Sequence, residues 1–372
     1  MKPSKRFANI DLSLIRQINA LATPLSVNLG IGEPNVEPDA VLRDMARQAA
    51  GSGSWHYSAN AGTPSLRKKI GEGFGYDGRS EVCVTAGTQE ALFAIFQAYV
   101  DAGDEVLVPN PGFLSYATLA RICGAEAVPY ELEPPAWRVD ADALLAKVTP
   151  KTKLIIVNSP SNPLGSIVDE ATLRRIATAD CLGVSDEIYN TIWYDDAPPS
   201  MANLSDNVIV VNGLSKSHAM TGLRLAWVLA RERVLKPIVT AHQYIATCAS
   251  VFSQSLAESI FDARDWNASW LERVRAQFHA QRDVALFAIE RELDAKIDPP
   301  AGAFYAFVPV PSCDTETFAK TLATDGAVLV IPGVAFGSAG EGFVRISFAA
   351  SLDQIGSGIE RIGRWLRANL SS

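Results

Sequence analysis

Short apolar runs alternate with amphipathic stretches through the middle of the chain. EVCVTAG (81–87) reads as a strand running into a turn. TQEALFAIFQAYV (88–100) carries helical spacing of its apolar positions. EVLVPN (105–110), KLIIVNSP (153–160) and NVIVVNG (207–213) are β-rich, and each ends in turn-forming residues. Their lack of polar alternation predicts strands covered on both faces, as in a parallel sheet. Strand–helix alternation predicts an α/β fold with helices on both sides of the sheet. Ligands of such sheets sit at the carboxyl ends of the strands. Gly87, Asn110, Asn162, Asp186 and Lys216 all fall at or just past those ends.

The flanks read differently. Residues 10–22 place Leu14, Ile15, Ile18, Leu21 and Ala22 on one helical face. The Gly- and Pro-rich stretch Asn28 to Ala40 predicts fixed turns. A long helical pattern covers 266–292, followed by the strand-like runs PPAGAFYAFVPV, AVLVIPG and GFVRISFA and a closing helix over 352–368. This pattern predicts a large domain over 46–280 and a smaller α+β domain over 281–372, with the N-terminal segment 1–45 packed on the smaller one.

Composition narrows the function classes. The 372 residues are 48% hydrophobic and 20% charged, with a net charge of −8. Such a balance fits a soluble globular enzyme and gives no basic face for nucleic acid. Cys83, Cys123, Cys181, Cys248 and Cys313 are scattered and odd in number, which argues against a disulfide framework and against a zinc or other metal site. The N-terminal MKPSKRFANI lacks the apolar core of a signal peptide. The longest stretch without Asp, Glu, Lys or Arg, Pro237 to Ala257, holds His242, Gln243, Ser250, Ser253 and Gln254 and reads as a packed helix, not a membrane span. A cytoplasmic protein is expected.

Four motifs carry chemistry. In SKSHAMTGLR (215–224), Lys216 follows a buried strand and Arg224 follows it by eight positions. A desolvated lysine gives up its proton readily, as Schiff-base chemistry requires, and a nearby arginine can fork onto a phosphate. Alone, a strand-end lysine is more often a solvated surface group. In DEIY (186–189), Asp186 is a buried carboxylate that needs a partner, such as a protonated ring nitrogen, or else a helix N-cap. NSPSNPLG (158–165) sets Asn162 between two turns, where its amide can face a ligand. TAGTQEAL (85–92) is a strand, a Gly turn and a helix start, a ready anion site.

At this point the chain resembles a known family. NLGIGEP, WHYSANAGTPSLRKKI, VTAGTQEAL, GDEVLVPNPGFLSY, NSPSNPLG, DEIY, GLSKSHAMTGLR, PPAGAFY, VIPGVAFG and FVRISFA occur in the order of the class I/II aminotransferases, from about residue 26 to 366. These are aspartate-aminotransferase-like, fold-type I pyridoxal-phosphate enzymes. The resemblance implies a mostly parallel sheet of the seven-stranded type in the large domain, and pyridoxal 5′-phosphate bound covalently to Lys216. It also implies that Asp186 pairs with the ring nitrogen, that Tyr189 and Asn162 bond its phenolic oxygen, and that Phe113 stacks on its face. Gly87, Thr88, Gln89, Ser215 and Arg224 would hold the phosphate. Tyr57 would reach across a homodimer interface toward the partner's phosphate. Arg345 and Gly32, with Asn162, would bind the substrate's α-carboxylate. Arg345 lies inside the apolar run FVRISF, where an unpaired charge is costly.

Two positions depart from common versions of the pattern. Gly213 stands where many members carry Ser, which removes one possible phosphate hydroxyl. Gln89 stands where some acidic-substrate members carry Lys, which weakens the case for aspartate as donor. The implied reaction moves an amino group from an L-amino acid to a 2-oxo acid, with the freed Lys216 amine as base at Cα. A lyase, cyclase or decarboxylase on the same scaffold remains an alternative. A non-catalytic regulator is disfavoured, since about 25 residues before the first motif leave no room for a DNA-binding unit. Ile31, His56, Tyr57, Gln89 and the region His242–Tyr244 are candidate contributors to side-chain selectivity.

Overall fold

A computed structural model describes residues 4–8, 10–52, 55–312 and 314–370. Its centre is a seven-stranded sheet built from β2 (Val82–Thr85), β3 (Glu105–Asn110), β4 (Glu126–Glu131), β5 (Thr152–Asn158), β6 (Leu182–Asp186), β7 (Val208–Gly213) and β8 (Ala226–Leu229). The spatial order is β2-β8-β7-β6-β5-β3-β4, and only β8 runs against the others. The expected α/β architecture is present.

Two-sided burial follows from the period-two geometry of a strand. Ile155 and Val157 of β5 enter one apolar cluster, whereas Leu154 and Ile156 enter the other. The second cluster is roofed by the helices Thr88–Tyr99, Ser115–Cys123 and Glu232–Ala246. Removing either face's apolar set would expose a full layer, which is why these runs show no polar alternation. Two strands escaped the pattern. β4 is the sheet's edge and largely exposed, so no apolar run marks it. β8 is only four residues long, AWVL.

A three-stranded antiparallel sheet joins β11 (Ile331–Pro332), β12 (Phe343–Ser347) and β9 (Tyr305–Pro309), while β1 (Val27–Asn28) pairs in parallel with β10 (Val328–Leu329). The helix Arg264–Leu293 packs chiefly on the closing helix Leu352–Leu370 and is continuous across residue 280. The stretch 237–257, expected as one packed helix, is two: Glu232–Ala246 and Val251–Asp262, broken at Thr247, whose φ of 64° lies in the left-handed region. Among the described residues, no helix is long and apolar enough to cross a membrane. Burial pushes the Cys83 thiol up to about 12 and Cys181 up to about 11, so both are poor nucleophiles. Cys313 lies outside the described residues.

Candidate active site

The strands β2, β3, β5, β6 and β7 all end on one edge of the sheet, and a cavity of about 620 Å³ opens there. Gly32, Thr88, Gln89, Phe113, Asn162, Asp186, Tyr189, Ser215, Lys216, Arg224 and Arg345 all line it.

Asp186, the last residue of β6, is buried at the cavity floor. Tyr116 donates its hydroxyl to Asp186 Oδ2 at 2.8 Å, and the Ile188 N–H reaches Oδ1 at 3.3 Å. Burial nevertheless raises the carboxyl to about 6, against the opposing pull of those bonds and of the Lys216 charge. Asn158, at the end of β5, braces the strand end: its Nδ2 donates to the Asp186 carbonyl at 2.9 Å and its Oδ1 accepts the Asn162 N–H at 2.8 Å.

Lys216 sits in the four-residue helix Leu214–Ser217 directly after β7. Its Nζ donates to the Gly32 carbonyl at 2.5 Å and lies 5.9 and 5.8 Å from the Tyr189 and Phe304 ring centres. Burial, then the positive charges of Arg345 and Arg224, lower its pKa to about 8; Glu33 and Asp186 oppose the shift. Gly32 itself leaves no room for a side chain, because a Cβ there would collide with the Tyr305 hydroxyl.

At the far end, the turn residue Gly87 has φ 94° and precedes the helix Thr88–Tyr99, whose start has no side-chain cap. A Cβ on Gly87 would strike the Arg224 guanidinium, which donates from Nη1 to the Thr221 carbonyl at 2.7 Å. An open helix start beside an arginine is a cradle for a doubly charged anion. Gln89 Oε1 accepts the Ser115 hydroxyl at 2.9 Å, and the Phe113 ring meets Tyr116 edge-on at 5.6 Å.

Arg345, in β12, is 1% exposed. Its Nη1 donates to Asn162 Oδ1 at 2.8 Å and its Nη2 to the Gly30 carbonyl at 2.5 Å. The guanidinium lies 4.4 Å from the Tyr305 ring centre and 5.0 Å from that of Phe336. Its Nε has no hydrogen-bond partner, and among the described residues no carboxylate pairs with it. Tyr189 and Tyr305 share a hydroxyl contact of 2.8 Å, and burial raises both phenols.

Four positions lie elsewhere. Tyr57 does not line this cavity; it is 86% exposed in a separate hollow of about 750 Å³ with Trp55, His56 and Phe252. Asn110 ends β3 at the right edge but turns away: its Nδ2 donates to Glu131 and to Ser338 Oγ, and its Oδ1 accepts the Ala339 N–H. It fastens the 338–340 turn to the sheet and does not face the cavity. His242 is buried against Glu90, and Tyr244 is 84% exposed. Neither lines the cavity. Sequence reasoning missed Tyr116, Tyr305 and Asn158. Their signals were present: Tyr116 follows Phe113 by three positions at a helix start, and the other two sit in GAFY and NSPSNP.

The model of the aminotransferase class I and II family matches residues 26–362. The chain belongs to that family. It is 33% identical to an aspartate aminotransferase of Pyrococcus abyssi, over 99% of both chains. It is 32% identical to aromatic-amino-acid aminotransferase 2 of Thermococcus litoralis, again over 99% of both. The structure of Thermus thermophilus aspartate aminotransferase with maleate superposes with a TM-score of 0.92 at 30% identity, covering 98% of this chain and 99% of that one. The protein is an aminotransferase, a transferase acting on amino and keto acids. This aminotransferase therefore has its strand-end cavity in a family that uses pyridoxal 5′-phosphate.

Proposed function

We propose that the cavity holds pyridoxal 5′-phosphate linked to Lys216, and that the enzyme transfers the amino group of an L-amino acid to a 2-oxo acid there. The observation that carries this reading is Lys216 itself, a part-buried amine lining the cavity with Asp186 and Arg345, its pKa brought to about 8. The donor set fits the cofactor. Asp186 is a buried anion without a paired cation, and Arg345 a buried cation without a carboxylate, among the described residues. Burying unpaired charges is costly, so both positions call for a ligand of opposite sign.

Asp186 would face the ring nitrogen, Asn162 and Tyr189 the phenolic oxygen, and Phe113 the ring face. Gly87, Thr88, Gln89, Ser215 and Arg224 would hold the phosphate. Bound there, the cofactor supplies an aldehyde that condenses with amines and a cationic ring that accepts the electrons left at Cα. Asp186 keeps the proton on that nitrogen by staying ionised. Freed from the cofactor and neutral, the Lys216 Nζ would take the Cα proton and deliver it to the cofactor's aldehyde carbon. Arg345, fixed by Asn162 and Gly30, grips the α-carboxylate, with Gly32 offering its N–H.

Tyr57 is assigned to the phosphate of a partner subunit, and the protein to a homodimer with shared active sites. The exposed Trp55 and Tyr57, side by side in one hollow, support that assembly, because exposed apolar patches mark interaction surfaces. Pairing of β1 with β10 supports placing residues 1–45 with the C-terminal unit, 281–372, beside a cofactor-binding domain of 46–280. The scattered free cysteines support a cytoplasmic enzyme. Incubation with single amino acids tests the reaction. Without an acceptor, transamination stops at one equivalent of 2-oxo acid per subunit, whereas a lyase continues to release keto acid and ammonia. A donor panel read this way identifies the substrate.

A further inference from the structure

We propose that His242 is a positioning residue for the phosphate end of the cofactor site, acting through Glu90; this rests on the phosphate placement proposed above. The turn Ala86–Gly87 links β2 to the helix Thr88–Tyr99. No side chain caps that helix start. The turn is held from behind instead. Glu90, in the first turn of the helix, reaches back so that its Oε2 accepts the Ala86 N–H at 3.0 Å. Its Oε1 meets His242 Nδ1 at 2.9 Å.

His242 lies on the helix Glu232–Ala246, which packs along Thr88–Tyr99. It is completely buried, and it lines neither cavity. A second tie, from the Tyr99 hydroxyl to the Val234 carbonyl at 2.7 Å, fixes the other end of the same helix pair. His242 Nε2 is buried without a hydrogen-bond partner. The tautomer that leaves no charge on the buried ring, and no unpaired N–H, carries its proton on Nδ1 and donates it to Glu90. The imidazole thus serves Glu90 alone.

The need for such a restraint follows from charge. A carboxylate in the first turn of a helix is drawn to the unpaired N–H groups at its start. Swung into that position, Glu90 would occupy the donors that a phosphate requires and repel its negative charge. His242 holds Oε1 on the far side of the turn, and Ala86 holds Oε2. Thr88 and Gln89 are left to the anion, with Arg224 close against Gly87.

The test compares two ligands that differ only at the phosphate. Affinities of the enzyme for pyridoxal 5′-phosphate and for pyridoxal are measured by fluorescence titration after the cofactor is resolved from the holoenzyme. His242→Leu is expected to weaken pyridoxal 5′-phosphate by roughly tenfold, the scale of one charged hydrogen bond, and to leave pyridoxal within about twofold. His242→Asn, which returns a donor, regains most of the loss. Glu90→Gln keeps an acceptor for Ala86 and removes the charge, so in its background His242→Leu becomes nearly silent. Equal weakening of both ligands, or no weakening of the phosphorylated one, overturns the proposal. Should the leucine variant fail to fold, His242→Phe makes the same comparison with the ring volume kept. If the wild-type enzyme itself does not prefer pyridoxal 5′-phosphate to pyridoxal, the phosphate site is at fault and not the role of His242.

Discussion

The Tyr116 hydroxyl donates to Asp186 Oδ2 across 2.8 Å, and both side chains are buried. Burial lifts the Asp186 carboxyl to about 6, and Tyr116 is the first of the groups that pull it back. In the role proposed for it, the carboxylate must be ionised to hold a cationic ring nitrogen, so Tyr116 would set how far down in pH the site stays competent.

Tyr116→Phe removes that donor. The Asp186 pKa then rises further, and activity, which falls as pH drops through that pKa, is lost at a higher pH. The acid limb of the kcat–pH profile is expected to move upward, with kcat falling roughly tenfold, as for loss of one hydrogen bond to a charge. An unmoved acid limb would detach Tyr116 from the chemistry.

Arg345→Ala should raise KM for every amino-acid donor, lowering kcat/KM by about a hundredfold, because a desolvated charge pair is lost. Arg345→Lys should recover little. Asn162, Gly30 and the Tyr305 and Phe336 rings are arranged around a planar fork that an ammonium cannot reproduce. An effect confined to one donor would show that Arg345 reads the substrate side chain.

Glu187 gives a stability prediction independent of the cavity. It is buried, and burial raises its carboxyl to about 7 although Ser185, Ser200 and the Met201 N–H all donate to it. With the folded value above the unfolded one, its favourable contribution is complete below about pH 4.5 and is lost as pH rises toward 7. The span corresponds to about 3 kcal/mol at most. Glu187→Gln should flatten that part of the stability–pH curve, measured by urea unfolding at pH 5 and pH 8. An unchanged slope would contradict the assignment.

Subunit mixing tests Tyr57. In the proposed homodimer, Lys216→Ala and Tyr57→Ala variants would each lack a working site. A mixed dimer with the two changes on different chains has one site carrying both native residues, so activity should reappear on mixing. No recovery, with mixed dimers confirmed by mass spectrometry, would place Tyr57 outside the active site.

The core of the fold was legible because two-sided burial leaves a mark in sequence: β5 and β7 are unbroken apolar runs. β4 escaped because an edge strand needs no such run, and the break at Thr247 because Ser, Thr and Cys interrupt an uncharged stretch without a Pro or Gly. The site was legible as motifs but not as pairings. Tyr116 and Asp186 are 70 positions apart, and Arg345 and Asn162 are 183 apart. Nothing local in the sequence joins them; the strand order does. Asn110 shows the converse: it ends a strand where site residues gather, yet the neighbouring Glu131 and Ser338 claim its amide.

The claim on which the rest depends is the covalent link to Lys216. Borohydride reduction of the holoenzyme, followed by proteolysis and mass spectrometry, fixes the cofactor to whichever amine carries it. One pyridoxyl-phosphate adduct per chain is expected, on Lys216, and none in Lys216→Ala. An adduct on another lysine, or none in the wild-type enzyme, would contradict that claim.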